Sequence, residues 1–117
     1  MNYNSDFKYD LEVGNVKEKE LANILENKKI EIKYDLKSNI TGNVFIEYES
    51  RGKPSGLSTT QSDYYAFILG NGIIIIIDTD RLKNISRGMI GTSRDILGGD
   101  SNTSKGILLK INELINL

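Results

Sequence analysis

The chain contains no cysteine and no histidine. The first absence removes disulfides, thiolate zinc sites and cysteine nucleophiles. The second removes imidazole metal ligands, Ser-His-Asp triads and histidine general bases. Hydrolytic chemistry would therefore fall to carboxylates, lysines and a hard divalent cation. Such cations take oxygen ligands, and Mg²⁺ is often held by two or three carboxylates together with water and phosphate. Mn²⁺ is its expected substitute. A long apolar segment is missing as well: the isoleucine run from Ile73 to Ile77 is far too short to span a bilayer. The first six residues lack the basic, apolar and small-residue succession of a secretory signal, so the expected location is the cytoplasm, with no membrane partner.

What is present fits one domain over residues 1–117, with 38% hydrophobic residues to form a modest core. Net charge is −1, but it is unevenly spread. Residues 1–50 hold seven Lys or Arg against ten acids, and residues 51–117 hold eight against six. An acidic centre in the first part and phosphate contacts in the second would fit this division.

The spacing predicts a helix from Leu11 to Glu26, with Asp10 as its N-cap and Leu11, Gly14, Glu18, Leu21, Ala22 and Leu25 on one stripe. Residues 29–35 alternate as a strand does: Ile30, Ile32 and Tyr34 share one face, and Glu31, Lys33 and Asp35 the other. After a turn over 37–42, a second strand runs from Asn43 to Glu49, with Val44, Ile46 and Tyr48 opposite Phe45, Glu47 and Glu49. The two are expected to pair antiparallel. A loop follows over 51–56, and Thr59 or Thr60 can cap a helical turn through Asp63. Tyr64–Leu69 is a strand candidate, and Gly70-Asn71-Gly72 turns into Ile73–Ile77, a run suited to a strand buried on both faces. Asp80–Ser86 reads as a short helix, residues 88–106 as a loop, and the rest as a short strand and a terminal segment. The class is α+β (or α/β), with helices flanking a central mixed sheet.

Three features of this pattern carry chemistry. Glu18 falls on the apolar stripe of the first helix, where a carboxylate is costly without a partner; Glu20 or Lys17 pointing inward instead is the alternative. Glu31-Ile32-Lys33 places a carboxylate and an ammonium on one strand face. There the first can hold a metal and the second can serve the attacking water. A solvent face with alternating charges has the same pattern. Glu47 joins Glu31, Lys33 and Asp35 if the two strands pair, and like charges so gathered need a cation among them. The candidate catalytic set is therefore Glu18, Glu31, Lys33, Asp35 and Glu47, with Glu18, Glu31 and Glu47 on the metal. A competing arrangement centres on Asp35 and uses Glu47-Tyr48-Glu49 as a Glu-x-Glu variant.

An N-terminal helix with an inward Glu followed by Glu-x-Lys on a strand resembles the PD-(D/E)XK nuclease superfamily of restriction enzymes and junction resolvases. The runs Glu31-Ile-Lys33-Tyr-Asp35, Thr41 to Glu49, Gly52 to Gly56, Thr60 with Asp63-Tyr64-Tyr65, Gly98-Gly99-Asp100 and Ser104-Lys105-Gly106 look like uncharacterised phage and bacterial members. The resemblance spans most of residues 10–110. It implies a restriction-endonuclease-like sheet flanked by helices, Mg²⁺-dependent hydrolysis of DNA (branched structures included), and a host-cytoplasmic location for a phage protein. Glu18 matches the helix carboxylate, and Glu31 with Lys33 the Glu-x-Lys pair. The superfamily's first strand acid, usually upstream of Glu-x-Lys, has no counterpart here, so Glu47 would have to replace it. Without that replacement, the fold would serve as a non-catalytic nucleic-acid- or protein-binding module.

Arg51, Lys53, Ser55 and Lys105 are the candidate contacts to nucleic acid. The segment Arg51–Gly56 is too short and misordered for a phosphate-cradling P-loop, but it can meet one backbone phosphate. Asp100–Gly106 departs from a calcium loop, with its glycine one place late and Ile111 at the twelfth position. Tyr64 and Tyr65 read as core. A homodimer is expected on physical grounds, because one small domain covers little DNA and cutting both strands takes two sites.

Overall fold

A computed structural model describes residues 3–116, with side chains described from Lys8 to Asn116. The most apolar alternating segments form two sheets. β4 (Tyr64–Leu69) is the middle strand of the first, flanked by β1 (Ile30–Asp35) in parallel and β5 (Ile74–Asp78) antiparallel. The second is wholly antiparallel, in the order β3 (Lys53–Pro54), β2 (Asn43–Ser50), β7 (Ser104–Lys110) and β6 (Asp95–Gly98). The helices are α1 (Tyr3–Asn27), α2 (Ser38–Thr41), α3 (Thr79–Met89) and α4 (Ile111–Ile115). The chain is thus α+β, with a mixed sheet beside an antiparallel one. No helix among the described residues is long and apolar enough to cross a membrane.

One core joins the two sheets. Val44 and Ile46 of β2, Ile107 and Leu109 of β7, Tyr65, Phe67 and Leu69 of β4 and Leu82 of α3 are all nearly solvent-free. Burying a side chain of this size contributes about 1.5–3 kcal/mol, so these positions dominate stability. α3 presents Leu82 to that core. Asp78 caps its start, accepting from the Asp80 and Arg81 amides at 2.8 and 3.3 Å. At the other end, Arg94 donates to both Leu108 O (2.8 Å) and Glu113 Oε1 (2.9 Å), tying β7 to α4.

Several expectations are corrected. β1 does not pair with β2; it lies beside β4, with Glu31 opposite Tyr65, while β2 pairs with β7. Pairing follows the more apolar neighbours, β4 and β7, over the chain neighbour. The isoleucine run is an edge strand, paired among the described residues only with β4, so it is not buried on both faces: Ile77 is buried but Ile74 is 57% exposed. The 88–106 segment is not wholly loop, because β6 and a 3-10 turn at Asp100–Asn102 form within it. The 3-10 turn after β3 covers Gly56–Ser58, ahead of the helical turn expected through Asp63.

The first helix does form, and it is longer than the periodicity predicts. It spans 25 residues, about 37 Å, and Asp10 lies within it instead of capping it. Its stripe is not buried: Leu21 is 49% and Leu25 58% exposed, and Glu18 is exposed as well. The consecutive charges Lys17-Glu18-Lys19-Glu20 leave its apolar residues no uninterrupted face, and local pairs such as Lys17–Glu20 at 3.2 Å support it instead. The molecule measures 59 Å along its longest axis, against 30 and 25 Å.

One close approach fixes how β2, β7 and β6 stack. The Phe45 ring lies over Gly106 and Gly98, and a Cβ added at Gly106 would come within 2.6 Å of both Phe45 Cε2 and Ile46 O. Because the second of these is backbone, it cannot swing away. Gly106→Ala is expected to lower unfolding free energy by about 2–3 kcal/mol in urea titrations, the scale of overpacking. Gly14→Ala, which meets nothing within 4 Å, should leave that value unchanged or raise helix content by circular dichroism.

Candidate functional site

Period two in β1 places Glu31 and Lys33 on one face, and their side chains meet at 3.5 Å while each stays nearly half exposed. Asp35 closes the strand. Its Oδ1 accepts the Lys37 amide at 3.1 Å, and its carbonyl accepts the buried Ser38 hydroxyl at 2.8 Å. Ser38 in turn accepts the Gly70 amide at 2.9 Å, so Asp35 is pinned where β1 and β4 end.

Glu47 lies in the other sheet. It faces Gly106 across the β2–β7 ladder, on the side away from Val44 and Ile46. Its Oε1 accepts from Ser104 Oγ at 2.6 Å and its Oε2 from Ser55 Oγ at 3.0 Å. Glu18 projects from the exposed α1. The structure therefore does not bring Glu18, Glu31 and Glu47 together, and among the described residues no three or more metal-type side chains gather. The division follows from strand pairing, because acids on β1 and β2 share a face only if those strands are neighbours. The Glu47–Glu49 variant does not gain Asp35 either, since Asp35 belongs to the β1–β4 ladder.

The structure does bring together residues that are far apart in sequence. β2 and β3 are joined by Arg51-Gly52, both at positive φ (51° and 78°), a tight turn. Glycine adopts that backbone freely; arginine does so against its own Cβ. The Arg51 amide donates to Thr103 O at 2.9 Å, and Ser50 faces Ser104. A register shift between Glu47 and Glu49 sets Glu49 opposite Lys105, with 3.7 Å between their charged groups. Arg51, Lys53 and Lys105, with the Ser55 hydroxyl, thus lie at one end of the four-stranded sheet, Lys53 on the face of Ser50 and Ser104 and Lys105 on the face of Glu49. The cations are exposed there, while Ser55 is occupied by Glu47.

A second polar link crosses the same sheet. Tyr48 Oη donates to Asp95 Oδ1 at 2.7 Å, and the Gly91 amide donates to Asp95 Oδ2 at 2.9 Å. The Gly91 amide, then the tyrosine hydroxyl, hold the Asp95 carboxyl below its usual range. The same bond, with burial next, pushes the Tyr48 phenol up to about 12. At the chain end, the Lys110 amide and then Arg94 hold Glu113 low.

Sequence reasoning missed the Glu47–Ser104 and Tyr48–Asp95 bonds, which span 57 and 47 residues. Local spacing carries no signal for either. It also missed an open cavity of about 290 Å³ between α3 and the four-stranded sheet, on whose wall lie Lys83, Ser86 and Arg87. That trio was legible as one face of a helix at spacings of three and four. The chain matches no protein-family model, no curated protein and no solved structure.

Tyr48→Phe should cost about 1.5 kcal/mol near neutral pH, the scale of one hydrogen bond to a charged group. The loss should depend on pH at both ends. An unfolded tyrosine ionises near 10 and the folded Tyr48 near 12, so the bond's stabilisation is full below about pH 10 and fades as pH rises through 12. Asp95 has a depressed pKa, so its share is present above the unfolded carboxylate range and fades as acid protonates the folded carboxyl. Urea unfolding of wild type and Tyr48→Phe between pH 3 and 12 checks this: their difference should be largest in the middle and shrink at either extreme.

Proposed function

We propose that the chain is a nucleic-acid-binding protein that holds the phosphate backbone of DNA at the end of its four-stranded sheet. One observation carries this reading: Arg51, Lys53 and Lys105, separated by up to 54 residues in sequence, are brought to one exposed end by the β2–β7 and β2–β3 pairings. Lys105 is only loosely engaged by Glu49, at 3.7 Å with its side chain 53% exposed. Half-exposed pairs of this kind contribute little, so a phosphate can replace the carboxylate. The strained backbone at Arg51 supports the reading too. A cation kept where glycine would fit better points to a use for the side chain.

A second reading is a Mg²⁺-dependent endonuclease on a restriction-endonuclease-like fold. It is favoured by the 3.5 Å Glu31–Lys33 pair, the juxtaposition that Glu-x-Lys chemistry requires. Against it, the three carboxylates expected on the metal are dispersed, so the residues present do not fit that centre. Binding without cleavage is the stronger reading.

Fluorescence anisotropy with labelled duplex and four-way-junction DNA across a salt series tests it. Each of Lys53→Ala and Lys105→Ala should weaken binding alike on all sequences and lower the salt slope by about one. Arg51→Gly should do the same while raising unfolding free energy by about 1 kcal/mol, because it relieves the left-handed strain. Unchanged slopes in all three variants would refute the interface. Incubating the same DNA with Mg²⁺ or Mn²⁺ separates the readings. Cleavage that falls about a hundredfold in Lys33→Ala would move the assignment to the endonuclease.

A further inference from the structure

We infer that the open cavity between α3 and the four-stranded sheet binds a small phosphomonoester, with the phosphate on α3 and a compact apolar body on the opposite wall. The cavity is about 290 Å³, at the small end of the range for ligand pockets. Its α3 wall carries Lys83, Ser86 and Arg87 and ends at Ile90, and its apolar wall includes Leu57 and Ile107.

The polar side of this cavity carries two cations and, among the described residues, no carboxylate. Ser86 is only 5% exposed, and its hydroxyl has no hydrogen-bond partner among the described residues. A buried hydroxyl left this way costs folding free energy, so it points to a group absent from the protein itself. Lys83 has neither hydrogen bond nor ion pair among the described residues. Arg87 donates to Asn84 Oδ1 at 3.4 Å, long for a hydrogen bond, so most of its five N–H donors stay available. One face of a helix thus brings an ammonium and a guanidinium to one space, with the Ser86 hydroxyl sealed just beneath its surface. An oxyanion with several acceptor oxygens satisfies both cations and, once the Ser86 side chain turns to another rotamer, its hydroxyl too; a phosphate dianion matches two cations where a carboxylate matches one. Leu57 and Ile107 belong to the core and form a fixed apolar floor, while the half-exposed Ile90 rims the opening. A bare anion would leave that floor wet; an apolar body on the phosphate covers it.

This cavity is separate from the DNA-binding residues and is tested separately. Isothermal calorimetry would use phenyl phosphate, benzoate and benzyl alcohol as probes on the full chain. Phenyl phosphate should bind saturably with a Kd on the order of 1 mM or tighter, the scale for so small a ligand. Benzoate should bind at least about fivefold more weakly, and benzyl alcohol should give no saturable heat. The double variant Lys83→Ala, Arg87→Ala should lose about tenfold or more in phenyl phosphate affinity. Ser86→Ala should leave the ligand-free melting temperature unchanged or raised, yet weaken phenyl phosphate about threefold or more. A serine with only a structural role would lower the melting temperature when replaced and leave binding alone. Lys53→Ala, outside the cavity, should bind phenyl phosphate as wild type does. The inference is overturned by no saturable binding of phenyl phosphate, by benzoate binding as tightly, or by undiminished affinity in both α3 variants.

Discussion

The antiparallel pairing of β2 with β7 is the constraint on which the rest of the structure depends. It joins residues 43–50 to residues 104–110, and on its inner side Val44, Ile46, Ile107 and Leu109 form the centre of the core. On its outer side Phe45 lies over Gly106 and Gly98, so three strands stack where only glycine leaves room. Closing a loop this long costs entropy before any contact rewards it. The burial of four aliphatic side chains on one face offsets that cost.

Functional geometry follows from the same ladder. It sets Ser104 beside Glu47, Lys105 beside Glu49, and Thr103 beside the turn that carries Arg51. A shift of one residue would turn all of these to the opposite face. The bulge between Glu47 and Glu49 lets one strand hold a hydroxyl-bound carboxylate on its outer face and still pair an acid with Lys105. The α3 cavity depends on the ladder less directly. Ile107 of β7 supplies part of its apolar wall, and Asp78 capping sets the helix whose face supplies its donors.

Local period was legible in the sequence, and partnership was not. The alternation in Glu31-Ile32-Lys33 was enough to put Glu31 and Lys33 on one face, where their charges meet at 3.5 Å. The extent of β2, the strand Tyr64–Leu69 and the helix after Asp78 were also readable, because each depends on neighbours within a few residues. Which strand lies beside which is decided by apolar surface elsewhere in the chain. Proximity of β1 and β2 in sequence suggested a hairpin, yet β4 and β7 offered better faces to bury. The carboxylate centre built on that hairpin dissolved with it. Glu18 was misplaced for a related reason: its stripe is periodic, but a run of four charges beside it leaves the helix better solvated than packed.

We propose that the β2–β7 ladder assembles a DNA-binding end from two distant segments. Amide chemical-shift mapping of the ¹⁵N-labelled chain titrated with duplex DNA tests it most directly. The amides of Arg51, Gly52, Lys53 and Ser55 should shift together with those of residues 103–106, along one saturation curve, while those of Glu31 and Lys33 stay unmoved. Shifts centred on β1 and α1, with residues 51–55 and 103–106 silent, would contradict it.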